Sequence, residues 1–162
     1  MSGHPTETDS MFMRVALEQA AKSAAIGEVP IGAVLVHEGR ILAQSHNHRE
    51  SWQDPTAHAE LIVIREGAKA LGQWRLIDTT LFVTLEPCAM CLGAIVLARI
   101  PRLVFGAKDP KAGACGSVLD FASDPRLNHR VEVVGGMLEE ESQRVLTRFF
   151  KELRVREPDC QA

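Results

Sequence analysis

Apolar residues recur every three or four positions over residues 11–26, and this spacing predicts a first helix. Ser10 precedes the run and is a favoured N-cap residue. Gly27 follows it and suits the left-handed backbone that often ends a helix. The residues before this helix, 1–10, are polar, and we expect them to form a flexible tail.

A β-hairpin is predicted next, because two runs rich in branched apolar residues flank a short turn. The runs cover residues 31–36 and 40–45, and Glu38-Gly39 lies between them. A short connection that contains glycine is typical of two antiparallel strands.

The remaining pattern alternates between helices and buried strands. Asp54-Pro55 predicts a helix start, and Gly135-Gly136 predicts a break before the last helix. The predicted elements are a helix over 56–71, a strand over 79–85, a helix between Pro87 and Pro101, strands over 102–105 and 130–134, and a helix over 137–155.

This order of elements predicts an α/β fold, a three-layer α/β/α sandwich around a central mixed five-stranded sheet. We expect a single domain over residues 11–156, followed by a loose C-terminal tail over 157–162. The segment 107–128 is long, polar and rich in glycine, which indicates a functional surface.

Composition and charge narrow the class of protein. The 162 residues carry 18 Lys and Arg against 21 Asp and Glu, a net charge of −3, which argues against a non-specific nucleic-acid coat but allows a local basic patch. No apolar run approaches the roughly 20 residues that span a bilayer, and the polar N-terminus lacks the features of a secretory signal. Four unevenly spaced cysteines do not form a disulfide framework, so we expect a cytoplasmic location.

Three residues are candidates for a metal centre. His58 lies early in the second predicted helix, and Cys88 and Cys91 lie three residues apart at the start of the third. Two sulfurs at this spacing share a helix face, and a helix N-terminus favours the thiolate. One imidazole and two thiolates suit a tetrahedral zinc ion with a fourth position open to water.

Each part of this pattern has a plainer interpretation on its own. A single histidine is usually a solvated side chain, and an isolated C-x-x-C is consistent with a redox pair or two buried thiols. His-x-Glu on one helix and Pro-Cys-x-x-Cys on the next together match the signature of the zinc deaminases. The combination therefore predicts a catalytic zinc site.

Glu60 is predicted to be the catalytic acid and base. It lies two positions from His58, so the two side chains diverge and Glu60 does not share the metal face. A carboxylate beside a zinc-activated water can take one proton and deliver two during hydrolytic deamination. The alternative is an exposed carboxylate favoured only by the helix dipole.

At these motifs the chain resembles the bacterial tRNA-specific adenosine deaminases, of the cytidine- and deoxycytidylate-deaminase-like fold. The resemblance rests on Thr56-Ala-His58-Ala-Glu60 and on Thr84-Leu-Glu-Pro-Cys88-Ala-Met-Cys91. It extends over nearly the whole chain, from residues 28–34 through 104–113 to 128–130 and 148–150. It implies conversion of adenosine to inosine at the wobble position (34) of an arginine tRNA, with release of ammonia.

The resemblance also implies roles for individual residues. His58, Cys88 and Cys91 would bind one zinc ion per subunit of a homodimer, and Glu60 would be the proton shuttle. Asn47 would hydrogen-bond the purine. Contacts with the tRNA anticodon loop and the flipped base would come from Asp109, Lys111, Asn128 and Phe149.

Two other functions stay open at this point. Deaminases of free guanine, adenine or cytosine carry similar zinc motifs, so the motif alone does not fix the substrate. A non-catalytic, zinc-stabilised RNA-binding module would also keep the ligands. Cys115 follows a glycine in the long loop, and we interpret it as a space-filling thiol and not a fourth ligand.

Overall fold

The computed structural model describes residues 4–156, so the predicted tail at 157–162 lies outside the described residues. The predicted elements all form, and one short helix is added. The bounds are α1 Glu7–Ala25, β1 Gly32–His37, β2 Arg40–His46, α2 Arg49–Trp52, α3 Ala59–Leu71, β3 Thr79–Leu85, α4 Ala89–Leu97, β4 Arg102–Ala107, β5 Glu132–Val134 and α5 Glu139–Arg156.

The five strands form one mixed sheet in the order β2-β1-β3-β4-β5. β1 pairs antiparallel with β2, as the hairpin predicts, and also antiparallel with β3. β3, β4 and β5 are parallel to one another. Because β3 is followed by α4 and then by the parallel strand β4, the end of β3 lies at the edge where parallel-sheet proteins place their sites.

Alternate residues of the central strands face opposite sides of the sheet and build two cores. Leu35, Leu81 and Leu103 pack on one side with residues of α3 and α4. Val34 and Phe82 lie on the other side with residues of α1. This alternation follows from the two-residue period of a strand, and it confirms the three-layer α/β/α sandwich.

Helix α1 begins four residues earlier than predicted. Thr6 is the N-cap, and its side chain and that of Asp9 form a reciprocal capping box with each other's backbone N–H groups. Arg102 of β4 also donates two hydrogen bonds to the Asp9 carboxylate, at 2.7 and 2.8 Å. Residues 7–10 therefore belong to the helix and not to the expected tail.

The start of α3 also differs from the prediction. Asp54 accepts hydrogen bonds from the N–H and hydroxyl of Thr56, at 2.8 and 2.7 Å, and so forms a turn before the helix that it was expected to cap. Helix α3 consequently starts at Ala59.

Among residues 4–156, no helix has the length and apolar character needed to cross a membrane.

Candidate functional site

The first and second metal-ligand candidates both occupy N-cap positions. His58 precedes α3 and Cys88 precedes α4, each with extended backbone angles. The carbonyl oxygens of His58 and Cys88 accept the first helical hydrogen bonds, from Ile62 at 3.1 Å and Leu92 at 2.9 Å. The positive ends of two helices therefore meet at the site, which favours anionic sulfur there.

The three predicted ligands lie together. His58 Nδ1 is 3.8 Å from Cys88 Sγ and 3.4 Å from Cys91 Sγ. One donor atom from each of the three residues lies within 4.8 Å of the other two. Cys91 is buried, whereas His58 and Cys88 are half-buried, so the cluster opens towards one side.

Hydrogen bonds among His58, Cys88 and Cys91 shift the pKa values of all three groups. Hydrogen bonds from Cys91 and His58 lower the pKa of the Cys88 thiol to about 3. The bond to Cys88 also raises the pKa of His58, and the Cys88 sulfur together with burial raises the pKa of Cys91. Thiolate and imidazole donors at this separation are the set that a divalent soft or borderline cation binds after displacing the shared protons.

Glu60 is the buried acid beside the cluster. It is only 4% exposed, and its Oε2 atom has no hydrogen-bond partner among the described residues. Burial raises the pKa of this carboxyl group to about 7. A buried oxygen without a partner is costly, so its presence indicates that a ligand or solvent molecule completes the site.

Asn47 is fixed beside the start of α3. Its side-chain oxygen accepts a hydrogen bond from the backbone N–H of Ala59 at 3.2 Å, and its own N–H donates to the Ile31 carbonyl at 3.1 Å. The residue is 3% exposed. With the oxygen engaged, the Nδ2 group is the part of this side chain left to donate to a ligand.

One cavity of about 510 Å³ joins these groups. The volume lies in the range that admits a nucleobase or another small ligand. Its lining residues are Val29, Ile31, Asn47, Arg49, His58, Glu60, Leu85, Glu86, Cys88, Lys108, Asp109, Pro110, Lys111, Ala112, Leu146 and Phe150. Apolar walls therefore surround the polar groups, and exposed Arg49, Lys108 and Lys111 supply positive charge.

The long loop reaches the cavity as expected. Asp109 and Lys111 both line it. The Asp109 side chain accepts hydrogen bonds from the N–H groups of Lys111 at 2.9 Å and Ala112 at 3.3 Å, which forms a tight turn at the rim. This turn holds the Lys111 backbone in place while its side chain stays exposed.

Two predicted site residues lie elsewhere. Asn128 is exposed and accepts a hydrogen bond from Arg99 at 2.9 Å, just beyond the C-terminal end of α4, whereas Cys88 caps the other end. Phe149 lines a separate groove between α1 and α5, together with Ala21 and Val145. Neither residue lines the cavity that contains Glu60.

Phe150, the neighbour of Phe149 on α5, does line this cavity. It is 42% exposed and meets the Phe149 ring edge to face with centroids 5.5 Å apart. Successive helical residues point about 100° apart, so only one of the two rings can face the site. The helical phase of α5 against the sheet places Phe150, and not Phe149, in the wall of this cavity, which the adjacent pair in the sequence did not reveal.

Sequence reasoning gave no role to Arg49 or Glu86, which also line the cavity. Arg49 belongs to the short helix α2, which had no predicted counterpart. Glu86 directly precedes the Pro-Cys motif, two residues before Cys88, and this position in the sequence could have indicated a role at the site. Cys115 lies outside the group formed by His58, Cys88 and Cys91.

Comparison with known proteins places this geometry in a family. The MafB19-like deaminase family matches residues 7–154. A tRNA-specific adenosine deaminase of Bacillus subtilis (strain 168) is 53% identical over 146 residues, which cover 90% of this chain and 91% of that protein.

Solved structures give the same picture. A structure from a study of A-to-I editing by tRNA:A34 deaminases at the wobble position of transfer RNA has a TM-score of 0.82 and 50% identity, covering 85% of this chain and 99% of that one. A guanine deaminase of Bacillus subtilis matches less well, with a TM-score of 0.58 and 40% identity over 60% of this chain and 63% of its own.

Proposed function

This chain belongs to the MafB19-like deaminase family and, within it, to the tRNA-specific adenosine deaminases, and on that premise we propose that it converts adenosine to inosine at the wobble position (34) of tRNA. The reaction consumes one water molecule and releases ammonia from the purine C6. As the sequence resemblance implies, the substrate would be an arginine tRNA.

A zinc ion fits the residues present. His58, Cys88 and Cys91 offer one nitrogen and two sulfurs within 4.8 Å of one another, and Glu60, with its unpartnered oxygen, lines the same cavity as His58 and Cys88. Three protein ligands leave a position open for solvent, as in catalytic zinc sites. When bound, zinc supplies the Lewis acid that lowers the pKa of water from about 15.7 to about 7.

Glu60 would carry the protons. In the proposed reaction its carboxylate takes one proton from the attacking water and delivers it to the purine N1. It then transfers the second proton of that water to the departing amine, which leaves as ammonia. Burial raises the pKa of the group to about 7, so near neutral pH it can both accept and donate a proton. No other carboxylate among the described residues belongs to this cavity and also has an unpartnered buried oxygen.

Asn47 would orient the base. Its oxygen is held by Ala59, so its Nδ2 donates to an acceptor atom of the purine ring. Apolar Val29 and Leu146 form walls on which a flat ring can pack, and Phe150 is exposed at the rim. Such walls exclude water from all but the reacting edge of the base.

Exposed cations at the rim would bind the anticodon loop. Arg49, Lys108 and Lys111 can meet phosphates while the unpaired target base enters the cavity. A base in a loop is already unpaired, so its extrusion costs less than opening a duplex. From the family we further propose a cytoplasmic location and a homodimer, and sedimentation of the purified protein would test the dimer.

The observation that carries this proposal is the convergence of His58, Cys88, Glu60 and Asn47 on one cavity in a chain of this family. The test uses anticodon stem-loops that are identical except for A, C or G at the wobble position. We expect inosine only from the adenosine stem-loop, detected by the mass of the digested nucleosides. The absence of inosine from a zinc-loaded protein would contradict the proposal.

The nearest alternative is deamination of a free base, which the partial similarity to guanine deaminase keeps in view. The same protein is therefore incubated with free guanine, adenine and cytosine, and ammonia is measured. Ammonia from a free base without inosine from the stem-loop would favour this alternative. A zinc-stabilised RNA-binding module would instead bind the stem-loop and release no ammonia.

A further inference from the structure

Glu86 is a buried carboxylate for which the proposed chemistry has no use. It directly follows β3, is 2% exposed and precedes Cys88 by two residues. Its backbone N–H continues the sheet by donating to the Ala107 carbonyl at 2.8 Å. Within residues 4–156, no lysine, arginine or histidine lies at ion-pair distance from it. A buried charge in this position needs other partners.

Those partners are donors from one segment, residues 109–117. The backbone N–H of Asp109 donates to Oε2 at 3.0 Å, and the N–H groups of Cys115 and Ser117 donate to Oε1 at 2.9 and 3.2 Å. The Ser117 hydroxyl also donates to Oε2. All four contacts use Glu86 as an acceptor, and hydrogen bonds to a charged group are stronger than those between neutral groups.

The same segment is also joined to the backbone next to Cys88. Ala114 N–H donates to the Pro87 carbonyl at 2.9 Å, and Cys88 and Gly113 form an antiparallel bridge. Gly113 lies so close that a Cβ atom there would overlap the Glu86 carboxylate. The segment is therefore packed directly on the junction between β3 and α4.

The held segment forms part of the cavity wall. Residues 109–112 line the cavity, and the Asp109 turn fixes the backbone of Lys111. The first and last donors to Glu86 lie eight residues apart, so one carboxylate closes both ends of the segment. Without it, the backbone N–H groups of Asp109, Cys115 and Ser117 would all lose their acceptor.

We infer that Glu86 is a positioning residue, whose carboxylate fastens residues 109–117 beside the cavity and thereby sets the affinity for the RNA substrate. This inference rests on the proposed function for the identity of the substrate. Glu86 does not transfer a proton in this role. It acts through the segment that it holds.

Glu86→Gln tests this role with almost no change in shape. A glutamine amide places an NH₂ group where one carboxylate oxygen stood, so in either orientation at least one backbone N–H faces a donor. Ser117→Ala removes only the hydroxyl donor and is the milder second variant. Glu66→Gln is the matched control, because Glu66 is an exposed carboxylate that pairs with Lys69 on α3.

For Glu86→Gln we expect the KM for the adenosine stem-loop to rise about tenfold, the free-energy equivalent of one hydrogen bond to a charged group. The kcat should change by less than about twofold, and the zinc content should match that of the wild type. Ser117→Ala should raise the KM by a smaller factor. A fall in kcat at unchanged KM, or loss of zinc, would overturn the inference.

Amide hydrogen exchange provides a readout that needs no substrate. We expect the N–H groups of Asp109, Cys115 and Ser117 to exchange faster in zinc-loaded Glu86→Gln than in the wild type or Glu66→Gln. Unchanged exchange would refute the role of Glu86 whatever the activity. A wild-type protein that forms no inosine would instead refute the proposed function, so the two failures are distinct.

Discussion

The side-chain oxygen of Asn47 accepts a hydrogen bond from Ala59 N–H at 3.2 Å, at the point where α3 begins. His58 occupies the N-cap position of this helix but makes no side-chain capping bond, and its Nδ1 lies near the two sulfurs. Asn47 therefore caps the helix from another segment. One contact links the residue proposed to hold the base with the backbone between His58 and Glu60.

Glu60→Gln separates catalysis from folding. We expect the variant to retain zinc and fold, while kcat falls by a factor of about 100 or more because the amide cannot take a proton. Inosine formation and metal analysis of the same preparation test this. Wild-type turnover in the variant would remove Glu60 from the reaction, and Glu66→Gln supplies a control with an exposed carboxylate.

Cys88→Ala tests the metal ligands. We expect loss of both zinc and activity, since two donors do not complete a catalytic zinc site. Cys115→Ala is the matched control, because this half-buried cysteine lies outside the cluster and should leave zinc content unchanged. Zinc is measured by atomic absorption after dialysis, and one equivalent in Cys88→Ala would defeat the assignment.

Lys111→Ala tests the electrostatic contact at the rim. We expect weaker binding of the stem-loop and a slope of log K against log salt that is shallower by about 0.7, the value for one contact with a single strand. Lys69→Ala serves as control, because that exposed lysine lies on α3 and pairs with Glu66. Fluorescence anisotropy over a salt series measures both slopes, and an unchanged slope for Lys111→Ala would count against the contact.

The Asp9–Arg102 pair predicts a dependence of stability on pH. Burial alone would raise the pKa of Asp9, but the hydrogen bonds from Arg102 and Thr6 outweigh it and hold that pKa below its ordinary value. The ionised carboxylate thus stabilises the fold above its unfolded pKa of about 4, and the contribution is lost as the pH falls through the lower folded pKa.

Asp9→Asn should therefore lower the free energy of unfolding by about 2 kcal/mol at pH 7, with a smaller difference at pH 3. Urea unfolding at both pH values measures the gap. A difference that stays constant or widens towards pH 3 would show that the charge of Asp9 is not the cause. Glu66→Gln, which changes an exposed pair, should shift stability much less.

The two adjacent phenylalanines give opposite expectations. Phe150→Ala should raise the KM for the stem-loop about tenfold, within the range for loss of one base-stacking side chain, with little change in unfolding. Phe149→Ala should lower the free energy of unfolding by about 1 kcal/mol and leave the KM near the wild-type value, because its half-buried ring lines the groove between α1 and α5 and not the cavity. Steady-state kinetics and urea unfolding of both variants distinguish the two roles, and the reverse result would exchange them.

The order of strands and helices and the pairing of two cysteines on one helix face could be predicted from local patterns. Two cysteines three residues apart share a helix face whatever surrounds them, and alternating apolar residues define a strand with two faces. Such features depend on residues close in sequence. The helix and strand order behind the confirmed three-layer fold and the pairing of Cys88 with Cys91 are of this kind, whereas His58 lies 30 residues from Cys88 and was grouped with the cysteines through the deaminase signature.

Features that depend on distant partners could not be predicted. The pair between Asp9 and Arg102, 93 positions apart, leaves no local pattern, whereas the Thr6 cap of α1 is a local feature that the apolar spacing did not reveal. Glu86 has a role only because residues 109–117 fold back onto it. The choice between Phe149 and Phe150, and the place of Asn128 beside Arg99, likewise depend on how elements pack.

The positions of His58 and Cys88 at two helix starts have a consequence for how such an enzyme diversifies. The reacting groups belong to the rigid framework, while much of the rim belongs to the connecting stretches that carry Arg49 and residues 108–112. Replacing those stretches would change the nucleobase or RNA that binds, while the catalytic residues at the helix starts stay in place. Selection can thus explore new targets without first losing the reaction.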